Sequence, residues 1–250
     1  MVHIMKSEAI YLVETRKGQL AYRHEEKYLI SLKDYTILKN RIKSLLKIDK
    51  NTGLVGHYHI RSIYFDDRHH NCVYDNLAGI HTRFKYRIRY YSHDPSFIKL
   101  EKKAKDNHYN RKTSFRLNKK QLDCLLKNDY LFCNKLDDPL ANEFFHQVKA
   151  RGFSPSLVID YDREAYTLNF NDIRITFDTN ISYREVNDSL NTIDFGYVSY
   201  LDIKHIILEI KYFDFLPNYI RKVFKQSTMT RTSLSKYVMC YLSKNGEELL

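Results

Sequence analysis

Glycine and proline are scarce in this chain, seven and four among 250 residues. No stretch rich in Gly, Pro or Ser marks a linker, and no internal repeat or low-complexity tract is evident. A single domain over residues 1–250 is the expectation. Cysteine is sparse too. Cys72, Cys124, Cys133 and Cys240 lie far apart with no C-x-x-C pair, which argues against a disulfide frame or zinc site and for reduced thiols. No run of eighteen or more apolar residues occurs, and the first residues lack the apolar stretch of a signal peptide. The expected setting is cytoplasmic, with no transmembrane segment and with a membrane-protein partner left open. Also missing are a Gly-x-x-x-x-Gly-Lys-[Ser/Thr] loop, a nucleophile elbow and a kinase signature. No helix-turn-helix, RNP or zinc-finger pattern accompanies the positive charge, so nucleic acid is not an expected partner.

What the chain does have is aromatic bulk and positive charge. Hydrophobic residues make up 43%, with 21 Tyr and 14 Phe, a composition that favours strands around a substantial core. The formal net charge of +11 points to an anionic partner. The placement of the cations narrows the choice. In Phe84-Lys85-Tyr86-Arg87-Ile88-Arg89-Tyr90, a strand sends successive side chains to opposite faces. Lys85, Arg87 and Arg89 then share one face, and Phe84, Tyr86, Ile88 and Tyr90 share the core face. Like charges 4 Å apart repel by about 4 kcal/mol at an effective dielectric near 20. Water or a polyanion must fill such a surface, and the pattern reads as a phosphate-binding cavity.

The element order supports an α+β domain. Tyr22 to Ile30 alternates as a strand. Ser31 resembles an N-cap with Asp34 three residues on, followed by a helical stripe of Leu32, Tyr35, Leu38, Ile42, Leu45 and Leu46. Strands are expected at about 58–65, 82–91, 97–104 and 113–117. A short helix follows Asn118, and Asp138-Pro139 opens another that Gly152 stops. Strands follow at about 156–166, 173–178, 192–197 and 206–212, then helices after Pro217 and after Ser233 or Ser235. Residues 1–20 read as partly helical or loosely ordered. Strands and helices come in runs without βαβ alternation, which favours an antiparallel sheet.

The charged alternation recurs on most strands. Glu25 with Lys27, Lys99 with Glu101 and Lys103, Arg174 with Thr176 and Asp178, and Glu209 with Lys211 each share a face. Arg163 is less clean, since it shares a face with Ile159 and Tyr161, and Lys102 and Lys105 read as solvated outer charges. One such pair alone is a solvated strand face. Together they suggest a sheet closed into a barrel with charges inward and helices packed outside. That interior suits phosphoryl transfer, where catalysis is mostly positioning and neutralisation. Arg grips phosphate oxygens bidentately and Lys supplies a compact charge. Glu209, flanked by apolar residues, is the candidate carboxylate for magnesium or manganese. His69-His70 reads as a surface turn and His205 as a strand-entry residue.

Eight short motifs carry a resemblance. They are Arg23-x-Glu25-x-Lys27-Tyr28, Ser62-x-Tyr64-Phe65-Asp66, Lys85-x-Arg87-x-Arg89-Tyr90, Glu101-x-Lys103, Asp160-Tyr161-x-Arg163-x-Ala165-Tyr166, Arg174-Ile175-Thr176-x-Asp178, Leu208-Glu209-x-Lys211 and Ser235-Lys236-Tyr237. In this order they resemble the VTC-type polyphosphate polymerase domain, the catalytic domain of the vacuolar transporter chaperone complex and its prokaryotic relatives. The resemblance runs over about 22–242. It implies an antiparallel tunnel of the triphosphate tunnel metalloenzyme type, lined by basic residues. ATP would bind there with Mn2+ or Mg2+, and its γ-phosphoryl group would join a growing polyphosphate chain. Carried over residue by residue, Arg87, Arg89, Arg174 and Lys236 would be catalytic. Lys27, Lys85, Lys103, Lys112, Tyr161, Arg163 and Lys211 would bind phosphates, with Arg111 an alternative to Lys112, and Glu209 would hold the metal. Two departures stand out. Arg23 replaces the first Glu of the superfamily's E-x-E-x-K signature, which favours a polymerase over a hydrolase. Ser233 stands where the yeast-type domain has a basic residue, with Arg231 as a substitute. A tunnel triphosphatase and a non-catalytic polyanion-binding module remain the alternatives.

Overall fold

The computed structural model describes residues 9–14, 20–53, 55–91, 94–106, 109–186, 199–200, 206–225 and 227–247. Twelve strands form one antiparallel sheet: β1 (Ala9–Glu14), β2 (Leu20–Ile30), β3 (Lys47–Ile48), β4 (Tyr58–Asp66), β5 (Thr82–Tyr91), β6 (Asp94–Asp106), β7 (Tyr109–Leu117), β8 (Ser154–Leu168), β9 (Ile173–Glu185), β10 (Ser199–Tyr200), β11 (Ile206–Phe213) and β12 (Met229–Arg231). The main path runs β1-β2-β11-β9-β8-β4-β5-β6-β7, with β12 also on β2, β10 on β9 and β3 on β8. Six helices accompany it: α1 (Leu32–Lys43), α2 (Asn71–Leu77), α3 (Lys119–Leu126), α4 (Pro139–Arg151), α5 (Asn218–Phe224) and α6 (Lys236–Lys244).

The expected closed barrel is overturned. The edge strands β1 and β7 come within 8 Å, Cα to Cα, yet share no ladder, so the sheet is open and curled. Period-two alternation assigns a residue to a face, but it carries no information on whether two edges pair. The curl is nevertheless strong. Lys103 on β6 lies 3.5 Å from Glu25 on β2, although five strands separate β2 from β6 along the ladder.

Local chemistry accounts for the helices. The Ser31 side chain accepts from the Asp34 N–H, and Leu38 and Ile42 are buried. Asn118 and Gln121 form a reciprocal capping box on α3. Asp138 caps α4 ahead of Pro139, and Gly152 ends it at φ 68, a left-handed conformation that Gly adopts without strain. Two expectations fail here. Leu32 and Leu45, assigned to the core stripe, are exposed at 60% and 40%. Part of 1–20, read as partly helical or loose, forms strand β1. The strand expected at 192–197 and His205 lie outside the described residues.

Two apolar clusters cover the convex side. Leu38 and Ile42 of α1 and Ile220 of α5 pack on Ile30, Ile175, Phe177, Leu208 and Ile210. Phe144, Leu140 and Leu125 of α3 and α4 pack with Phe65, Tyr86, Ile88 and Leu100. Each such side chain contributes about 1.5–3 kcal/mol on full burial. With the convex side so covered, the charged alternate residues face the concavity.

Candidate functional site

Strand register builds the concave face. Lys27 lies opposite Glu209, and Glu25 opposite Lys211. Glu209 is opposite Thr176 on its other side. Arg163 pairs with Asp178 across β8 and β9. Ser62 and Tyr64 face Arg89 and Arg87. Arg87 and Lys85 face Glu101 and Lys103, and Lys103 faces Lys112. Cross-strand neighbours on one face of an antiparallel pair sit about 4.5–5.5 Å apart, so the register alone forces these charges together. A register shift between Asp160 and Asp162 lets Arg163 and Tyr161 join them. α6 closes one part of the concavity. Its Tyr237 ring stacks on Tyr64 at 5.0 Å, and its first residue, Lys236, ion-pairs Asp178 and lies 4.7 Å above the Tyr161 ring.

The resulting cleft is lined by eight cations, Lys27, Lys85, Arg87, Arg89, Lys103, Arg163, Lys211 and Lys236, and by one carboxylate, Glu209. Tyr64 and Tyr161 add hydroxyls. Several cations are already committed. Arg163 donates from Nε and Nη2 to Asp178 at 2.5 and 2.7 Å, and lies 3.6 Å from Glu209. Arg87 donates to Glu101 at 2.8 Å and to the Tyr64 hydroxyl at 3.1 Å. Lys27 and Lys211 flank Glu25 at 2.9 and 3.7 Å, and Lys211 reaches Glu209 at 3.2 Å. Others are not. Among the described residues Arg89 hydrogen-bonds the hydroxyls of Tyr161 (2.9 Å) and Ser62 (3.5 Å) and acts on Glu101 at longer range. Among the described residues Lys85 has no carboxylate partner at all.

The proton affinities record this imbalance. Burial pushes the Lys85 ammonium well below the usual lysine range, and Lys103, Lys27 and Arg87 push it further. Burial lowers Lys103 to about 8, with Glu25 opposing and Lys27 and Lys211 adding to the drop. Burial alone would raise Glu25, but Lys103, Lys27 and Lys211 hold it well below the carboxylate range. Glu101 stays at about 2 because Arg87, Arg89 and Lys112 outweigh burial. Burial would raise the Tyr161 phenol, yet Arg89, Arg163 and Lys236 bring it below the ordinary value. The cleft as a whole is short of negative charge.

Two residues of the expected set are cross-strand neighbours of the cleft-lining Lys211 and Lys103 but do not line the cleft themselves. Arg174 is on the same face but is engaged by Asp49 at 3.1 Å and by the Tyr58 hydroxyl at 3.0 Å. Lys112 ion-pairs Glu101 and does not line the cleft. Other residues enter that the residue-by-residue reading left out. Glu25 shares Lys211 with Glu209, at 3.7 and 3.2 Å, and its place in Arg23-x-Glu25-x-Lys27 was the available signal. Asp178 is fully buried under Arg163 and Lys236. Lys105, read as an outer charge, lines the continuation of the cleft with Arg83, Arg231 and Ser233, joined to the first part through Lys27, Lys85 and Lys103. Its odd number in β6, shared with Lys103, already marked it as inward. Lys102 is on the outer side as expected, paired with Glu143.

An open antiparallel sheet with a cation-lined concave face and a helix end set against it defines an α+β domain with a polycationic cleft. The chain belongs to the VTC domain family, whose model matches residues 22–245. No curated protein matches it. Solved structures similar to it include a conserved hypothetical protein from Pyrococcus furiosus (14% identity, 81% of this chain and 88% of that one, TM-score 0.40). A proposed adenylate cyclase from Bacillus halodurans is similar at 12% identity, with 88% of each chain covered and a TM-score of 0.44. PH1012 from Pyrococcus horikoshii is similar at 14%, covering 90% of each, with a TM-score of 0.37. No described helix is long and apolar enough to cross a membrane.

Proposed function

We propose that the chain is an ATP-dependent polyphosphate polymerase. The observation that carries this reading is the excess of cations in the cleft, above all Lys85, which has no carboxylate partner among the described residues, and Arg89, whose hydrogen bonds there go to hydroxyls. A buried cation without a counter-ion costs several kcal/mol. The phosphates of the substrate would be the missing counter-ions.

In this reading Lys27, Lys85, Arg87, Arg89, Lys103 and Lys211 hold the triphosphate and the end of the chain. Arg163 and Lys236, locked on Asp178, fix one wall. The Tyr161 phenol, drawn toward ionisation by Arg89, Arg163 and Lys236, orients Arg89. A terminal oxygen of the chain attacks the γ-phosphorus. The bond to the β-phosphate bridging oxygen breaks, and ADP leaves. Cations placed around the transferring group stabilise the charge spread over its oxygens.

Among the described residues no three His, Cys, Asp or Glu side chains converge on one point. Glu209 and Glu25 nevertheless form a two-carboxylate set beside the cleft. That is what Mg2+ or Mn2+ takes from protein when phosphates and water complete its shell. Such an ion, held by Glu209 with Glu25, would supply charge neutralisation at the phosphates. The same scarcity of uncommitted carboxylates favours transfer over hydrolysis. Arg23, at the position of the superfamily's first Glu, lies over Phe213 and near Asp172, and Glu101 and Asp178 are engaged by cations.

The test is purified protein with ATP and Mn2+. Lengthening polyphosphate supports the reading. Orthophosphate without polymer would make the chain a triphosphatase, and ATP binding without any turnover would make it a binding module.

A further inference from the structure

The two ends of the concave face differ in chemistry. At one end Arg83, Lys105 and Arg231 line the cleft, and the ring of Phe84 is turned onto Phe153 at 6.0 Å and under Arg151 at 5.5 Å. The other end carries an aromatic ladder. Tyr58 meets Tyr91 at 5.9 Å between ring centres, and Tyr91 meets Phe97 at 6.1 Å. Phe97 belongs to the cleft side of β6. It shares parity with Lys99, Glu101 and Lys103, while Ile98 and Leu100 between them are fully buried. Phe97 is 41% exposed as a residue, with Lys99 over its ring at 4.5 Å and Arg116 at 5.5 Å.

Phe97 lies beyond the cleft lining on the same face of β6, and what sets it apart from a plain exposed aromatic is the pair of cations held against its ring. Its π-face is what a nucleobase stacks on, and flanking cations reinforce such stacking. Phe97 is four residues from Glu101, about 13 Å along the strand. A ribose and the proximal phosphates would bridge that gap. We propose that the Tyr58–Tyr91–Phe97 ladder seats the base of the nucleotide, with Phe97 as the stacking surface and Lys99 and Arg116 beside it. This orients the substrate: base at the aromatic end, polyanion toward Arg83, Lys105 and Arg231. The proposal rests on the polymerase reading above, because it assumes that the phosphates of ATP fill the cleft.

The chain contains no tryptophan, so Phe97→Trp installs a single fluorescent reporter at the ladder. Its emission is expected to quench on adding ATP and to stay unchanged on adding inorganic tripolyphosphate. In Phe97→Ala, ATP affinity is expected to fall roughly tenfold with tripolyphosphate affinity intact, which also shows that the cleft has folded. Equal loss of both affinities, or ATP binding that Phe97→Ala leaves unmoved, overturns the ladder while leaving the polymerase reading standing. Failure of the unmodified protein to bind either ligand overturns both.

Discussion

Lys85 and Lys103 face each other across β5 and β6 with Lys27 nearby, and Glu25 sits 2.9 Å from Lys27 and 3.5 Å from Lys103. Replacing Lys85 by Met removes an uncompensated charge and keeps the apolar stem. Lys85→Met is expected to stabilise the protein by about 1 kcal/mol, as buried charges replaced by similar hydrophobes often do, and to weaken ATP binding about tenfold. Denaturant melts paired with binding isotherms decide it. A variant that is both less stable and unimpaired in binding would remove Lys85 from the site. Lys103 yields a pH prediction. Its folded value, about 8, lies below that of an exposed lysine, so the folded protein prefers the neutral amine. Stability is therefore lost as the pH falls from the ordinary lysine value of 10.5 to about 8, the loss is complete below that, and a bound polyanion recovers it by favouring the ammonium. Affinity for tripolyphosphate should fall as pH rises above about 8, and Lys103→Arg should flatten the profile. A flat profile in the parent protein would contradict this. These inward residues were legible from alternation. The engagement of Arg174 by Asp49 was not, because it depends on a short 3₁₀ turn, Lys50–Thr52, that Asp49 caps near the start of β9.

Elements with strong local signals were readable. α1, α3, α4 and α6 announce themselves by Ser31, Asn118, Asp138 and Ser235 caps. α2 does not. Its N-cap, His70, sits at φ 54 with no side-chain cap bond, so its polar neighbourhood reads as a turn. The His70 ring packs 4.8 Å from Tyr241 of α6 rather than facing a ligand. β8 is harder still, since its irregularity between Asp160 and Asp162 changes which residues share a face. α6 shows what one element contributes to the site. It places Lys236 on Asp178, and Asp178 carries Arg163 as well. Asp178→Asn leaves two buried cations short of a partner, a loss of about 3–5 kcal/mol. Tripolyphosphate should recover part of that loss if Arg163 and Lys236 face the polyanion. Thermal melts with and without ligand measure both effects. A wild-type melting temperature in Asp178→Asn would show that the triad holds nothing together.

At the scale of the whole molecule, face and composition were legible, while closure was not. The alternation of Lys85, Arg87 and Arg89 needs only a curved sheet, and whether β1 meets β7 is decided by edge geometry that no period records. The curl concentrates charge of one sign on a single surface, on a chain of net charge +11. The free protein thus stores self-repulsion that either salt or a bound polyanion relieves. Tripolyphosphate at a hundred times its dissociation constant adds about 2.7 kcal/mol to the folded state. For a chain of this size that is a rise of roughly 5–10 °C in melting temperature. Added salt should raise the melting temperature of the free protein and shrink the ligand's increment, because both act on the same charges. Arg89→Ala should reduce the increment with little change in the melting temperature of the free protein, since among the described residues its hydrogen bonds go to hydroxyls and Glu101 keeps Arg87 and Lys112. Glu209→Gln should keep the increment and lose polymer synthesis, which separates holding the phosphates from transferring them. An increment that is insensitive to salt, and equal in Arg89→Ala, would place the polyanion somewhere other than this concave face.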